Sequence, residues 1–144
     1  MDFIYTLEDL PAVADRVLAT GGRHGRYALL GELGAGKTTL VAECCRRLGV
    51  REPVSSPTFS IVNTYPAEPE PVHHLDCYRL ESVAEAIDAG LEELLETATG
   101  AVFVEWPEVI EPLLPPDVVF LRLRHDPQGG GRRHLIITPA ESAV

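Results

Sequence analysis

Apolar residues recur along the chain with two different periods, and each change of period marks an element. Leu10, Val13, Ala14, Val17 and Leu18 fall at helical spacing behind Thr6-Leu7-Glu8-Asp9, where Thr6 reads as an N-cap, and the pattern stops at Gly21-Gly22. Arg26-Tyr27-Ala28-Leu29-Leu30 reads as a buried strand, and the stretch from Thr38 to Leu48 reads as a helix ended by Gly49. Phe59 to Tyr65 alternates like a half-buried strand, and Val72 to Tyr78 is a second one, hairpinned to it across the proline-rich turn Pro66 to Pro71. A helix from Ser82 to Leu95, interrupted or kinked near Gly90, follows on the spacing Val83, Ala86, Ile87, Leu91, Leu94, Leu95. Ala101 to Val104 is a short buried strand. A proline-punctuated stretch leads to a final hairpin, with strands at Val118 to Leu123 and Arg133 to Thr138 around Gly129-Gly130-Gly131. These elements predict one α/β domain over residues 1–144, with parallel strands at its centre, antiparallel strands from the two hairpins, and helices on both faces.

Between the first predicted strand and its helix lies Gly31-Glu32-Leu33-Gly34-Ala35-Gly36-Lys37-Thr38, spaced as the phosphate-cradling G-x-x-x-x-G-K-[ST] loop. Lys37 is the only lysine in the chain. Backbone N–H groups that wrap an anion need glycine at Gly31, Gly34 and Gly36, and the following helix adds the positive end of its dipole. Lys37 then supplies an ammonium for the β- and γ-phosphates, and Thr38 a hydroxyl for Mg²⁺. A plain glycine turn is the bland alternative, but the strand before and the helix after are the context that the motif requires. A nucleotide triphosphatase also needs a carboxylate at the end of a neighbouring buried strand. Glu105 closes the apolar run Ala101-Val102-Phe103-Val104 and fits that role.

Composition narrows the choice. A chain of 144 residues with a net charge of −10 is large enough for one core and poorly suited to gripping nucleic acid by itself. A basic partner surface suits it better. The acidic blocks Glu81, Glu85, Asp88 and Glu92, Glu93, Glu96 read as a solvated helix face or a docking face. No apolar run approaches a membrane span and the N-terminus lacks a signal-peptide pattern, so a cytoplasmic protein is expected. Cys44, Cys45 and Cys77 form neither a disulfide framework nor a zinc spacing, and read as small packing residues. With its single lysine at position 37 the chain cannot carry the Asn-Lys-x-Asp guanine reader. Asp126-Pro127-Gln128-Gly129 reads as a turn. Arg122, Arg124, Arg132 and Arg133 read as decoration of a hairpin rather than a kinase lid.

Four segments taken together carry a resemblance: Leu33-Gly34-Ala35-Gly36-Lys37-Thr38-Thr39, Ser56-Pro57-Thr58-Phe59, His74-Leu75-Asp76-Cys77-Tyr78-Arg79-Leu80 and Glu105-Trp106-Pro107-Glu108. In this order and spacing the chain closely resembles the TsaE (YjeE) family over nearly its whole length. The resemblance implies a P-loop NTPase-like three-layer sandwich with a mixed, mainly parallel sheet. It implies an Mg²⁺-dependent ATPase of tRNA threonylcarbamoyladenosine synthesis that works with a TsaD–TsaB assembly, hydrolysing ATP to support repeated transfer cycles and meeting tRNA only at the edge of the complex. An ATP-loaded binding module, in which occupancy rather than hydrolysis regulates the assembly, is the alternative. Carried over by position, Leu33 to Thr39 hold the phosphates, Thr38 and Glu105 hold Mg²⁺, and Thr58 senses the γ-phosphate. Lys37, Asp76 and Glu105 are the expected catalytic residues, with Asp76 orienting or deprotonating the attacking water. Trp106 is expected at the nucleotide. Leu7 and Arg133 mark the vicinity expected for the base. For His74, Tyr78 and Arg79 a supporting or partner-docking role competes with packing, and His73 reads as incidental.

Overall fold

In the computed structural model, which describes residues 1–57 and 60–139, seven strands form one sheet. They are β1 (Asp2–Tyr5), β2 (Arg26–Leu30), β3 (Val62–Tyr65), β4 (Val72–Asp76), β5 (Val102–Glu105), β6 (Val119–His125) and β7 (Arg133–Thr138). Their order is β1-β7-β6-β2-β5-β4-β3. The inner four, β6, β2, β5 and β4, are parallel, while β7, β1 and β3 join antiparallel at the two ends. Apart from Arg26 at the start of β2 and Glu105 at the end of β5, these two strands are apolar throughout because both faces of a parallel centre are covered.

Side chains alternate across a strand, and two separate cores follow from that alternation. Tyr27, Leu29, Phe103 and Leu121 face α1 (Leu10–Gly21) and α2 (Lys37–Arg47), packing with Val13, Val17, Leu40 and Cys44. The Tyr27 and Phe103 rings stack within this layer, 4.9 Å between centroids. Leu75, Val102 and Val104 face the other way, onto Ala86 of α3 (Val83–Asp88), Leu91 and Leu95 of α4 (Leu91–Thr97), and Ile110 of a 3-10 helix at Pro107–Leu113. Helices therefore lie on both faces, as the hydrophobic pattern predicts. Among the described residues no helix is long and apolar enough to cross a membrane.

Several boundaries differ from the sequence reading. The stretch before the first helix forms β1, whose four residues are too few to show a period but pair with β7. Thr6 starts a 3-10 turn, Leu7–Asp9, in which Asp9 Oδ2 accepts the Thr6 N–H at 3.0 Å, and the α-helix begins only at Leu10. β3 starts at Val62; Phe59 lies outside the described residues. β4 ends at Asp76 because the Asp76 carboxylate accepts the Tyr78 N–H at 3.0 Å and turns the chain. Of the interruption or kink expected near Gly90, the structure has the interruption: Gly90 has φ of 85° and separates α3 from α4. Asp126 to Gly129 is the expected turn, closed by a Gly129 N–H to Asp126 C=O bond of 2.9 Å.

Arg26 fixes the far end of the sheet. Its guanidinium is buried and donates to the carbonyls of His24, Leu95, Ala98 and Gly100 at 2.6–3.0 Å, closing the C-terminal end of α4 onto β2. All three cysteines are free and buried, as small packing residues should be, and burial pushes the Cys45 and Cys77 thiols up to about 12.

Candidate functional site

β2 ends in the middle of the sheet with β5 on one side and β6 on the other. The chain leaving it forms the glycine-rich loop and then enters α2, so the loop sits outside the carboxyl ends of parallel strands, where open α/β sheets bind ligands. Gly34 (φ 78°) and Gly36 (φ 100°) take backbone conformations that a side chain would strain. Gly31 answers a different demand. A Cβ there would stand 2.4 Å from the Leu123 carbonyl oxygen, so this glycine lets the loop pass close to β6.

Asp76 and Glu105 are paired in register at the ends of β4 and β5. A cavity of about 380 Å³ runs along this edge, lined by Leu33, Gly34, Gly36, Lys37, Thr38, Thr39, Ser56, Asp76, Glu105, Trp106 and Arg133. Of the residues expected at the site, these ten other than Ser56 come together. Ala35 turns its side chain into the core instead. Leu7 is 71% exposed and does not line the cavity. Thr58 lies outside the described residues.

Glu105 is 3% exposed. The Thr38 hydroxyl lies 2.9 Å from its Oε2 and 3.1 Å from its Oε1, Ser56 Oγ donates to Oε2 at 3.3 Å, and His74 Nε2 is 2.6 Å from Oε2. Burial works against the carboxylate, but His74, through its hydrogen bond and charge, then Thr38 and Lys37, outweigh it and hold the pKa below the ordinary value. The Lys37 ammonium donates to the Gly31 carbonyl and, at 3.4 Å, to that of Glu32, and stands 3.6 Å above the Trp106 ring. Burial lowers its pKa, opposed by Glu105, Glu108 and Asp76. Trp106 adopts φ 56° and ψ 57°, a left-handed conformation uncommon for a bulky residue, and its ring packs against Tyr78 at 4.9 Å.

Ser56 and the His74 contact were not singled out by sequence reasoning. A usable signal existed for His74: it is two residues before Asp76 in a strand, so the two share a face. Ser56 is joined to Thr38 (2.7 Å) by a contact that no local pattern announces. Arg132, unlike Arg133, is held in the hairpin by Asp126 at 3.2 Å.

The fold and site define an α/β protein with a mixed seven-stranded sheet and a polar cleft at its carboxyl edge. It is similar to the crystal structure of Bacillus subtilis YdiB, with a TM-score of 0.76 and 26% identity, covering 98% of this chain and 86% of that one. The family model described as threonylcarbamoyl adenosine biosynthesis protein TsaE matches residues 4–135. A TsaE protein of Nostoc sp. PCC 7120 is 40% identical over 119 residues, spanning 81% of this chain and 71% of the relative. One from Bacillus subtilis strain 168 is 37% identical over 110 residues, 76% and 68% of the two chains. The chain belongs to the TsaE family.

Proposed function

We propose that this protein is a P-loop ATPase of tRNA threonylcarbamoyladenosine synthesis, binding Mg²⁺–ATP at the loop between β2 and α2 and acting together with a TsaD–TsaB assembly. The observation that carries the reading is the convergence of Lys37 and Thr38 with Glu105, which is distant from them in the chain, on one cleft beside glycines in left-handed conformations. Lys37 is held there by carbonyls and an aromatic ring rather than by a carboxylate, so its charge is available to the β- and γ-phosphates. The N–H groups of the loop and the first turn of α2 bind the remaining oxygens.

The donor set fits Mg²⁺. Thr38 and Glu105 offer hard oxygens, and among the described residues no group of three or more His, Cys, Asp or Glu forms a cation cage. Mg²⁺ suits such a sparse site because it keeps water and phosphate oxygens as its other ligands. When bound, it supplies charge neutralisation for the leaving phosphate oxygens. Asp76 stands in register beside Glu105, with one oxygen taken by the Tyr78 N–H and the other left to orient or deprotonate a water. Trp106 and Tyr78 form an apolar wall on the same side.

Trp106 is the only tryptophan, and drawing Lys37 away from its ring changes its surroundings. Saturable change of its fluorescence on titration with ATP and Mg²⁺, absent in Lys37→Ala, is the expected result. Equal affinity for GTP would overturn the choice of nucleotide, and an unchanged ATP response in Lys37→Ala would overturn the site.

A further inference from the structure

His74 is fully buried and stands on the same face of β4 as Asp76. Its Nε2 meets Glu105 Oε2 at 2.6 Å; a carboxylate only accepts, so the proton lies on Nε2. Its Nδ1 is buried with no hydrogen bond among the described residues. Leaving a polar atom unpaired is unfavourable, and an apolar side chain would pack here without that penalty. The contact with Glu105 is what an imidazole gains at this place.

The consequence falls on the two carboxylate oxygens unequally. Oε2 takes hydrogen bonds from His74, Thr38 and Ser56, whereas Oε1 has a single hydrogen-bond partner among the described residues, the Thr38 hydroxyl at 3.1 Å, which it shares with Oε2. We propose that His74 is a positioning residue: by donating Nε2–H to Oε2 it fixes the rotation of the Glu105 carboxylate and leaves Oε1 for a divalent cation next to Thr38. The inference rests on the nucleotide reading above. It deepens that reading by assigning the orientation of the metal-binding carboxylate to a buried side chain that does not itself line the cleft.

The test separates metal affinity from nucleotide affinity on the full chain. Mn²⁺ binding is followed by electron paramagnetic resonance with ADP present, and ADP binding is followed in EDTA. His74→Leu is expected to weaken Mn²⁺ about 10–100-fold, the range for outer partners of metal ligands, while ADP binding in EDTA is unchanged. Mn²⁺ affinity equal to wild type in His74→Leu overturns the proposal. Should that variant fail to fold, His74→Gln and His74→Asn decide. Gln carries an amide N–H near the position of Nε2 and Asn near that of Nδ1. Affinity kept by Gln and lost by Asn supports the proposal; the same affinity in both overturns it. A wild type in which ADP does not strengthen Mn²⁺ binding overturns the nucleotide reading itself, and this inference with it.

Discussion

Lys37 and Glu105 are both buried charges, and each is stabilised differently. Lys37 is held by neutral acceptors and a ring, which preserves its charge for an anion; Glu105 is held by donors, which preserves its own. The depressed pKa of Glu105 has a sign for stability. Because the folded value lies below the unfolded one of about 4.3, its contribution is fully present above that pH and is lost as pH falls through the folded value. Urea unfolding of wild type between pH 6 and pH 3 is therefore expected to show a steeper acid loss than Glu105→Gln; parallel curves would contradict it. At this scale Lys37, Thr38 and Glu105 were marked in the sequence by a spacing or a strand end, and Asp76 only by the family resemblance, since the strand read on to Tyr78. The partners of Glu105 were not, since His74 lies 31 residues away and Ser56 lies 49 away, and only packing reveals them.

The elements were more legible where a period persists. α1, α2, β2 and β5 follow their hydrophobic patterns to within a few residues, because each buries a face against the sheet. β1 escaped because an edge strand of four residues is specified by its partner β7 rather than by its own alternation. Two further demands are tertiary. Arg26 holds four carbonyls, those of Leu95 and Ala98 at the end of α4 together with those of His24 and Gly100, so Arg26→Met is expected to lower unfolding free energy by about 2–4 kcal/mol, the scale of charged hydrogen bonds lost with buried acceptors left unpaired. Arg26→Lys should recover little, since one ammonium cannot reproduce the guanidinium fork. Denaturant titration reads both. Gly31 is constrained by Leu123 on β6 and Gly34 is not, its nearest neighbour for a Cβ being His125 Nε2 at 4.0 Å. Gly31→Ala is accordingly expected to cost at least about 1 kcal/mol more stability than Gly34→Ala, as overpacking adds to strain. Equal thermal stabilities would show that the first glycine serves the loop alone.

On the scale of the whole molecule, the proposed nucleotide cleft occupies the carboxyl edge of the sheet. The acidic residues Glu81, Glu85, Asp88, Glu92, Glu93 and Glu96 are all exposed, on and just before α3 and α4. With a net charge of −10 and one lysine, the chain has little with which to hold a polyanion such as tRNA unaided. An ATPase that acts on RNA through partner proteins accounts for both the cleft and the charge. The most direct measurement is the rate of ATP hydrolysis by wild type and Lys37→Ala, each alone and with the TsaD–TsaB assembly, in Mg²⁺ and in EDTA. Slow hydrolysis alone, a rise with the assembly, and loss in Lys37→Ala and in EDTA are expected of an Mg²⁺-dependent ATPase using this loop; hydrolysis undiminished in Lys37→Ala would rule that activity out.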